Sequence, residues 1–253
     1  MNETANIFGI PIEGESLERV MDRLILRDPS APPLWIVTAN PEILLEARKN
    51  RDYASVLKSA NVKTVDGFGL WLILRLFSHK TERVTGVDLS ERVVQYACQK
   101  GWRIGLVGGA PGIAEKAAHQ IEVTLPQVQI LAHEGGRVVQ DGSDDEKGAS
   151  DRASMKSFDP HILLVAFGHP KQEMWISKHR HDFPSLKMVI GVGGTFDYWA
   201  GARHRAPAFL QSIGLEWLWR LMVEPSRWRR ILNAVFVFPV LATHDIIKRR
   251  NTL

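Results

Sequence analysis

The sequence lacks the residues and segments that would support disulfide cross-links, thiolate zinc sites or export. Its 253 residues include one cysteine, Cys98, which excludes an internal disulfide and a cysteine-based zinc site. The N-terminal stretch MNETANIFGIPIEGESLERV has no basic region and no apolar run, so we expect no secretory signal. A composition of 45% hydrophobic and 24% charged residues is typical of a globular protein and excludes a disordered or collagen-like chain.

Long hydrophobic runs are also absent. The longest, residues 231–242, has 12 residues and includes Asn233 and Pro239, whereas a membrane-spanning helix needs roughly 20. Basic residues flank this run, and three tryptophans lie nearby: Trp217, Trp219 and Trp228. Because tryptophan and basic residues favour the membrane interface, we expect the segment to lie on a membrane surface; the alternative is an ordinary C-terminal helix packed on the core.

Positive charge is concentrated at one end of the chain. The formal net charge is +4, but residues 203–253 carry nine Lys or Arg against three acidic residues, a local charge of +6, which leaves −2 for residues 1–202. A basic tail on a nearly neutral body indicates an anionic partner, which lipid, diphosphate or nucleic acid would satisfy. The chain shows neither a basic and aromatic single-strand platform nor a helix-turn-helix signal, so we expect no nucleic-acid partner.

Short apolar runs alternate with segments of helical spacing as far as Gly194. The runs predict strands at 34–38, 62–65, 103–107, 128–132, 162–167 and 188–192. The spacing predicts helices at 42–60, 70–77, 89–100, 113–125 and 172–181. This alternation predicts an α/β fold with a parallel sheet and helices on both faces. Residues 203–253 read only as helices, at 207–213, at 215–223 and from Pro225, so we expect a core of 1–202 and a helical appendage of 203–253.

All six predicted strands are followed by polar or charged residues, and five of them by glycine within three residues. In an open parallel sheet, ligands bind beyond the carboxyl ends of the strands. The sequence therefore predicts one polar cleft along one edge of the sheet.

Three of these strand ends carry candidates for chemistry. Asp66 is either a general base for a substrate hydroxyl or the N-cap of the helix near Leu70. Thr38 and Asn40 either bond a sugar or phosphate or form a turn and cap. The glycine-rich loop at Gly108 and Gly109 either holds a phosphate through backbone N–H groups or is a ligand-free turn, and it matches neither the dinucleotide nor the P-loop fingerprint.

Other polar residues carry weaker signals. Gln172 and Glu173 open a helix, where capping explains Glu173 better than catalysis does. Asp197 either holds a base or ribose or is an ordinary turn residue. The histidines show no zinc spacing and there is no G-x-S-x-G motif, so we expect no metal, no cofactor and no covalent serine or cysteine catalysis. The polar stretch 140–152 reads as a surface loop or helix start.

Eight short segments, taken together, resemble one family. They are TANPEI (38–43), DGFG (66–69), RVTGVD (83–88), GGAPG (108–112), GHPKQE (168–173), GVGGTFD (191–197), RAP (205–207) and EWLWR with EPSR (216–220 and 224–227). In this order, over about residues 38–230, they look like the WecG/TagA/CpsF glycosyltransferases.

The resemblance implies a Rossmann-like core whose helical appendage binds the membrane and closes over the site. It implies a metal-independent, inverting transfer from a UDP-sugar to a polyprenyl-diphosphate-linked saccharide in cell-surface polymer or exopolysaccharide synthesis. The sugar would be N-acetylmannosamine, its uronate or glucose. The enzyme would be cytoplasmic, peripheral on the inner face of the bacterial plasma membrane and bound to anionic lipid.

The family motifs also imply roles for individual residues. Asp66 is similar to the family's general base, and Thr38 is placed beside it in the catalytic pocket. The matching substrate-binding positions are Asn40, Arg83 and Gln172, joined by Gly108, Gly109 and Asp197 from the strand ends. The matching arginines of the appendage, expected to hold the lipid diphosphate or the leaving UDP, are Arg220, Arg227 and Arg230.

One position departs from the family pattern. After Glu134 the family usually has glycine and then an aromatic residue suited to stacking on uracil, whereas this chain has Gly135, Gly136 and Arg137. A guanidinium plane can also stack on a base. The rival hypothesis is a nucleotide-binding, membrane-docked assembly subunit without catalysis, and the sequence permits a homo-oligomer in either case.

Overall fold

The computed structural model describes residues 4–77, 79–212 and 214–250. The strands in this part of the chain are β1 (Ala5–Ile7), β2 (Ile10–Ile12), β3 (Leu34–Ala39), β4 (Val62–Val65), β5 (Arg103–Gly108), β6 (Gln129–His133), β7 (Ile162–Ala166) and β8 (Met188–Gly191). β1 and β2 pair as a short antiparallel hairpin.

The other six strands form one parallel sheet in the order β4-β3-β8-β7-β5-β6. β3, β7 and β8 are buried along their whole length. Central strands of a parallel sheet are covered on both faces, which is why these three are nearly continuous apolar runs in the sequence. The structure confirms the predicted α/β fold, and each of the six predicted strands agrees within one residue at either end.

Helices cover both faces of the sheet. They are α1 (Leu17–Ile25), α2 (Pro41–Lys49), α3 (Arg51–Ser59), α4 (Phe68–Leu76), α5 (Gly86–Gln99), α6 (Ile113–Thr124), α7 (Glu146–Phe158), α8 (Lys171–His179), α9 (Thr195–Trp199), α10 (Ala208–Ser212), α11 (Glu216–Val223), α12 (Trp228–Leu232) and α13 (Phe238–Arg250). α2, α3, α4 and α8 pack on one face together with the hairpin, and α1, α5 and α6 pack on the other. The predicted two-faced arrangement is therefore confirmed.

Local differences from the predictions have local causes. The helix expected over 42–60 is two helices, because Asn50 takes an extended conformation and its side chain caps α3 by accepting a hydrogen bond from the N–H of Tyr53. The stretch 140–152 contains a helix start, with Asp145 as the N-cap of α7. The hairpin and α1 were not predicted. The helix expected over 207–213 appears as α10, and Ile213 lies outside the described residues.

The C-terminal segment differs most from its prediction. Residues Pro225–Arg249 form one helical stretch of 25 residues, in which a 3-10 turn (Pro225–Arg227) precedes α12 and a π-helical turn (Asn233–Val237) joins α12 to α13. By length and composition this stretch could cross a membrane, although the apolar run of 12 residues alone predicted otherwise.

This helix also packs on the rest of the protein. Phe238, Ala242 and Ile246 are buried in the core that covers one face of the sheet. The carboxylate of Asp245 accepts a hydrogen bond from the N–H of Phe8 at 2.8 Å, and the ring of Phe8 meets that of Phe238 edge-on at 6.2 Å. The C-terminal helix thus shares its core with the hairpin and the sheet, whereas the boundary between residues 202 and 203 stays a prediction.

Replacing Phe238 with alanine tests this packing. The side chain is fully buried, so Phe238→Ala should lower the free energy of unfolding by about 3–5 kcal/mol through lost burial and a cavity. Phe236→Ala removes the same ring from a position that is 61% exposed and should cost within about 0.5 kcal/mol. Urea unfolding of both variants measures the difference, and equal losses would contradict the packing described here.

Candidate active site

A large cavity lies where the strands of the parallel sheet end. Its volume is about 800 Å³, and residues following all six parallel strands contribute to its wall. The C-terminal segment contributes the facing wall through residues such as Trp217, Arg220 and Ile231. The predicted polar cleft at one edge of the sheet is therefore present, and helices distant in sequence enclose it.

Asp66 stands at the end of β4 and lines this cavity. It does not cap α4, because Gly67 occupies the N-cap position with a φ of 91° and no side chain makes a capping bond. The Asp66 carboxylate instead accepts a hydrogen bond from the N–H of Gly86, the first residue of α5, at 3.3 Å. Burial raises the pKa of Asp66 to about 6, against the opposing effects of Arg220, Gly86 and Arg83. At neutral pH the group is largely ionised and able to accept a proton.

Thr38 lies near the end of β3, the strand that pairs with β4, and it is buried in the wall of the cavity that Asp66 also lines. Its hydroxyl donates a hydrogen bond to the carbonyl of Gly191 on the neighbouring strand β8, at 3.0 Å. The hydroxyl proton is therefore engaged in the protein, and the oxygen can only accept a further hydrogen bond from a ligand.

Asn40 combines the two roles that the sequence left open. Its side-chain oxygen caps α2 by accepting a hydrogen bond from the N–H of Ile43 at 3.0 Å, and the residue also lines the cavity. Because the oxygen is used for the cap, the amide N–H groups are what Asn40 can offer a ligand.

The two glycines of the predicted phosphate loop differ. Gly108 does not line the cavity; a Cβ there would lie 2.8 Å from the backbone of Ala166, so close strand packing explains this glycine. Gly109 lines the cavity, but its N–H is donated to the carbonyl of Ala166 at 3.0 Å. Gly108 thus lies outside the cavity wall and the N–H of Gly109 is already donated within the protein, and the phosphate-binding role of this loop stays a prediction.

Gln172, which lines the cavity, and Glu173 behind it form a buried network. Glu173 is fully buried and accepts hydrogen bonds from the Tyr53 hydroxyl at 2.9 Å and from the Gln172 amide at 2.6 Å. The Gln172 side-chain oxygen in turn accepts the N–H of Gly193 at 3.1 Å. Burial raises the pKa of Glu173 to about 7. The expectation that Glu173 caps its helix is wrong, because its carboxylate faces the core and fixes the orientation of Gln172.

Positive charge dominates the wall of the cavity. Seven arginines and one lysine line it against five carboxylates. The arginines are Arg83, Arg137, Arg203, Arg205, Arg220, Arg227 and Arg230. Such an excess favours a ligand with more than one negative charge, for which arginine offers paired hydrogen-bond donors.

Carboxylates hold most of these arginines in place. Arg203 bridges Asp197, at 3.2 Å, and Glu224, at 3.4 Å, and Glu224 also pairs with Arg227. The predicted ligand residue Asp197 is therefore an ion-pair partner in this structure.

Four of the remaining five arginines are positioned in different ways. Arg220 pairs with Glu216 at 3.0 Å, and Arg230 pairs with Glu42 of α2. Arg83 donates a hydrogen bond to the carbonyl of Gln211 in α10 at 3.2 Å. Arg137 is exposed and forms no ion pair with any described residue, so its guanidinium is available to a ligand.

The described residues contain no group of three or more His, Cys, Asp or Glu side chains arranged to hold a metal ion. The charged side chains that line the cavity are the seven arginines, Lys171 and the five carboxylates.

Comparison with known proteins identifies the family of this chain. The model of the glycosyl transferase WecG/TagA/CpsF family matches residues 5–252. The chain belongs to this family. A relative from Bacillus spizizenii is 35% identical over 212 residues, which are 83% of this chain and 79% of the relative. One from Bacillus subtilis is 36% identical over 78% of this chain and 75% of its own length.

A third relative covers more of the chain. It comes from Staphylococcus aureus and is 27% identical over 96% of this glycosyltransferase and 94% of its own length. All three relatives bear the name N-acetylglucosaminyldiphosphoundecaprenol N-acetyl-beta-D-mannosaminyltransferase.

Sequence reasoning missed the carboxylates that position the arginines of this glycosyltransferase. Glu42, Glu216 and Glu224 lie within the motifs that carry the resemblance, but no role was assigned to them. Arg203 was also overlooked. Spacing alone predicts the pair of Glu216 and Arg220, which are four residues apart on one helix. The pair of Glu42 and Arg230 spans 188 residues and has no local signal.

Proposed function

We propose that this glycosyltransferase transfers N-acetylmannosamine from its UDP derivative to N-acetylglucosamine carried on a polyprenyl diphosphate, in the synthesis of a cell-envelope polymer. The observation that carries the proposal is one cavity in which a carboxylate with a pKa of about 6 faces a wall of arginines. The names of the three relatives support the choice of sugar and acceptor.

The reaction needs a base and a means of stabilising the leaving group. Asp66 takes the proton from the acceptor hydroxyl as that oxygen forms a bond to the anomeric carbon of the donor on the face opposite UDP. The bond from this carbon to UDP breaks, the configuration inverts, and UDP leaves with the electron pair.

The leaving diphosphate gains negative charge as this bond breaks. Arg220, Arg227 and Arg230 stabilise that charge or hold the diphosphate of the acceptor lipid, because preorganised cations in a cavity act without the rearrangement that water needs. Their carboxylate partners hold them over the cavity beforehand. Arg137, which has no ion-pair partner among the described residues, stacks on the nucleobase at the rim.

A screen of UDP release tests the proposed reaction. The full chain is mixed with a short-chain polyprenyl-diphosphate N-acetylglucosamine and with UDP-linked N-acetylmannosamine, its uronate or glucose, each with and without excess EDTA. We expect release with N-acetylmannosamine, undiminished by EDTA. A preference for the uronate or glucose would overturn the donor, and loss on chelation with recovery on adding Mg²⁺ would reveal a metal. UDP binding without release would favour the non-catalytic subunit.

Replacing Asp66 with asparagine tests the base. Asp66→Asn keeps the shape but cannot accept the proton, so turnover should fall by about 10² to 10⁴ while UDP binding persists. The wild-type kcat/KM should rise as pH rises through about 6, since the raised pKa leaves the base protonated below that value, and should level off above it. The exposed Asp52→Asn is the matched control. Turnover close to wild type in Asp66→Asn would refute this role.

We also propose that the enzyme lies peripherally on the inner face of the plasma membrane. Along the C-terminal helix an exposed apolar stripe, defined here as Leu232, Phe236 and Val240, recurs every four residues and so forms one helical face. The opposite side of this helix is held in the protein core by Phe238 and Ala242. This packing favours a helix that lies in the membrane interface over one that crosses the bilayer.

Vesicle binding tests the docking. The double variant Phe236→Ser with Val240→Ser should bind phosphatidylglycerol vesicles at least tenfold more weakly, while its turnover of a water-soluble acceptor stays unchanged. Binding of the wild type should weaken as salt rises, because each basic residue near an anionic surface contributes about 1 kcal/mol. Val123→Ser, exposed on α6, is the control.

Replacing Arg230 with alanine separates binding of the diphosphate from binding of the membrane. Arg230→Ala should lower turnover even without vesicles; if it lowers only vesicle binding, the arginine is an anchor.

A further inference from the structure

The face of the C-terminal helix that lines the cavity changes from cationic to apolar along the length of the helix. Its first turns present Arg227 and Arg230 to the cavity, and the next three turns present Ile231, Val235 and Pro239. At 1.5 Å per residue the apolar part extends about 13 Å beyond Arg230. A cationic end therefore continues directly into an apolar trough.

The wall opposite this trough is apolar as well. α4 contributes Phe68, Leu72 and Ile73 to the cavity. The two walls meet closely at Gly69, where an added Cβ would stand 3.5 Å from the carbonyl of Ala234 in the π-helical turn. The cavity-lining side chains of α4 and of the C-terminal helix after Arg230 are all uncharged. This part of the cavity therefore offers no charged partner to a sugar or phosphate group.

The apolar lining of the trough adjoins the exposed apolar stripe of the C-terminal helix. Leu72 lines the cavity and is 40% exposed, so the apolar lining reaches the surface at this edge. On the helix, Phe236 and Val240 follow Val235 and Pro239 by one position each and are largely exposed. An elongated apolar group could therefore pass from the trough to the outside without crossing a polar surface.

We propose that this trough binds the first isoprene units of the acceptor lipid, so that the enzyme recognises the polyprenyl chain itself as well as the diphosphate and sugar. The inference rests on the proposed function and deepens it. An amphiphile with a diphosphate head and an apolar tail matches the order of the two surfaces: the head lies at Arg227 and Arg230, and the tail lies along Ile231, Val235 and Pro239 against α4.

Chain length in a membrane-free assay is the direct test. The full chain is given UDP-linked N-acetylmannosamine and diphosphate-linked N-acetylglucosamine acceptors ending in methyl, dimethylallyl, geranyl or farnesyl groups, all below their micellar concentrations. Each buried methylene favours binding, so kcat/KM should rise at least tenfold from methyl to geranyl and then level off where the trough ends. An apolar surface that merely touches a bilayer would give no such dependence.

Two variants locate the tail. Val235→Trp fills the trough, and Leu72→Gln makes its opposite wall polar, so each should reduce the geranyl-to-methyl ratio of kcat/KM to within threefold of one. Val237→Trp is the matched control, because Val237 lies on the same π-helical turn, is 43% exposed and does not line the cavity; it should retain the wild-type ratio. Unchanged UDP binding shows that each variant is folded.

The outcomes separate this inference from the proposed function. Turnover of every acceptor with no dependence on chain length would overturn the trough while leaving the reaction intact. A wild-type ratio retained in both Val235→Trp and Leu72→Gln would place the tail elsewhere and also overturn it. Absence of turnover with every acceptor and donor would refute the proposed function itself.

Discussion

The burial of Phe238, Ala242 and Ile246 beside the parallel sheet is the constraint on which the cavity depends. Charge alone does not hold the basic C-terminal segment over the ends of the strands, because exposed ion pairs contribute little to stability. Its apolar face, packed against the hairpin and the helices of one layer, sets the position of the whole helix. The arginines Arg227 and Arg230 at its start are thereby held in the wall of the cavity that Asp66 also lines.

Electrostatic balance follows from that position. The positive charges of seven arginines around one cavity would repel one another if no acidic residues were present. Glu42, Glu216 and Glu224 form ion pairs with Arg230, Arg220 and Arg227 and so offset part of this charge. Each pair also restricts a long side chain that would otherwise sample many rotamers. The arginines are thus oriented before an anionic ligand arrives, which lowers the entropy lost when it binds.

The positions of the chemical groups could be predicted to different degrees. Asp66 and Thr38 follow strands that are evident in the sequence, and the carboxyl ends of parallel strands meet at one edge, so their proximity was predictable. Glu173 was interpreted as a capping residue because side chains at the start of a helix are usually exposed. In the structure its carboxylate lies in the core and accepts a hydrogen bond from the hydroxyl of Tyr53 on another helix. Gly108 looked like part of a phosphate loop, although its lack of a side chain serves the contact with Ala166.

The sequence by itself determined the alternation of strands and helices, the concentration of charge in the last fifth of the chain and the motifs of the family. These are local properties, since side-chain periodicity and backbone preference act over a few residues. Only the tertiary structure decided which groups meet. Arg230 reaches Glu42 across 188 residues, and the C-terminal helix packs against the distant hairpin, where Asp245 accepts a hydrogen bond from the N–H of Phe8. Such contacts depend on how the helices and the sheet bury their apolar faces together, and no single segment encodes that arrangement.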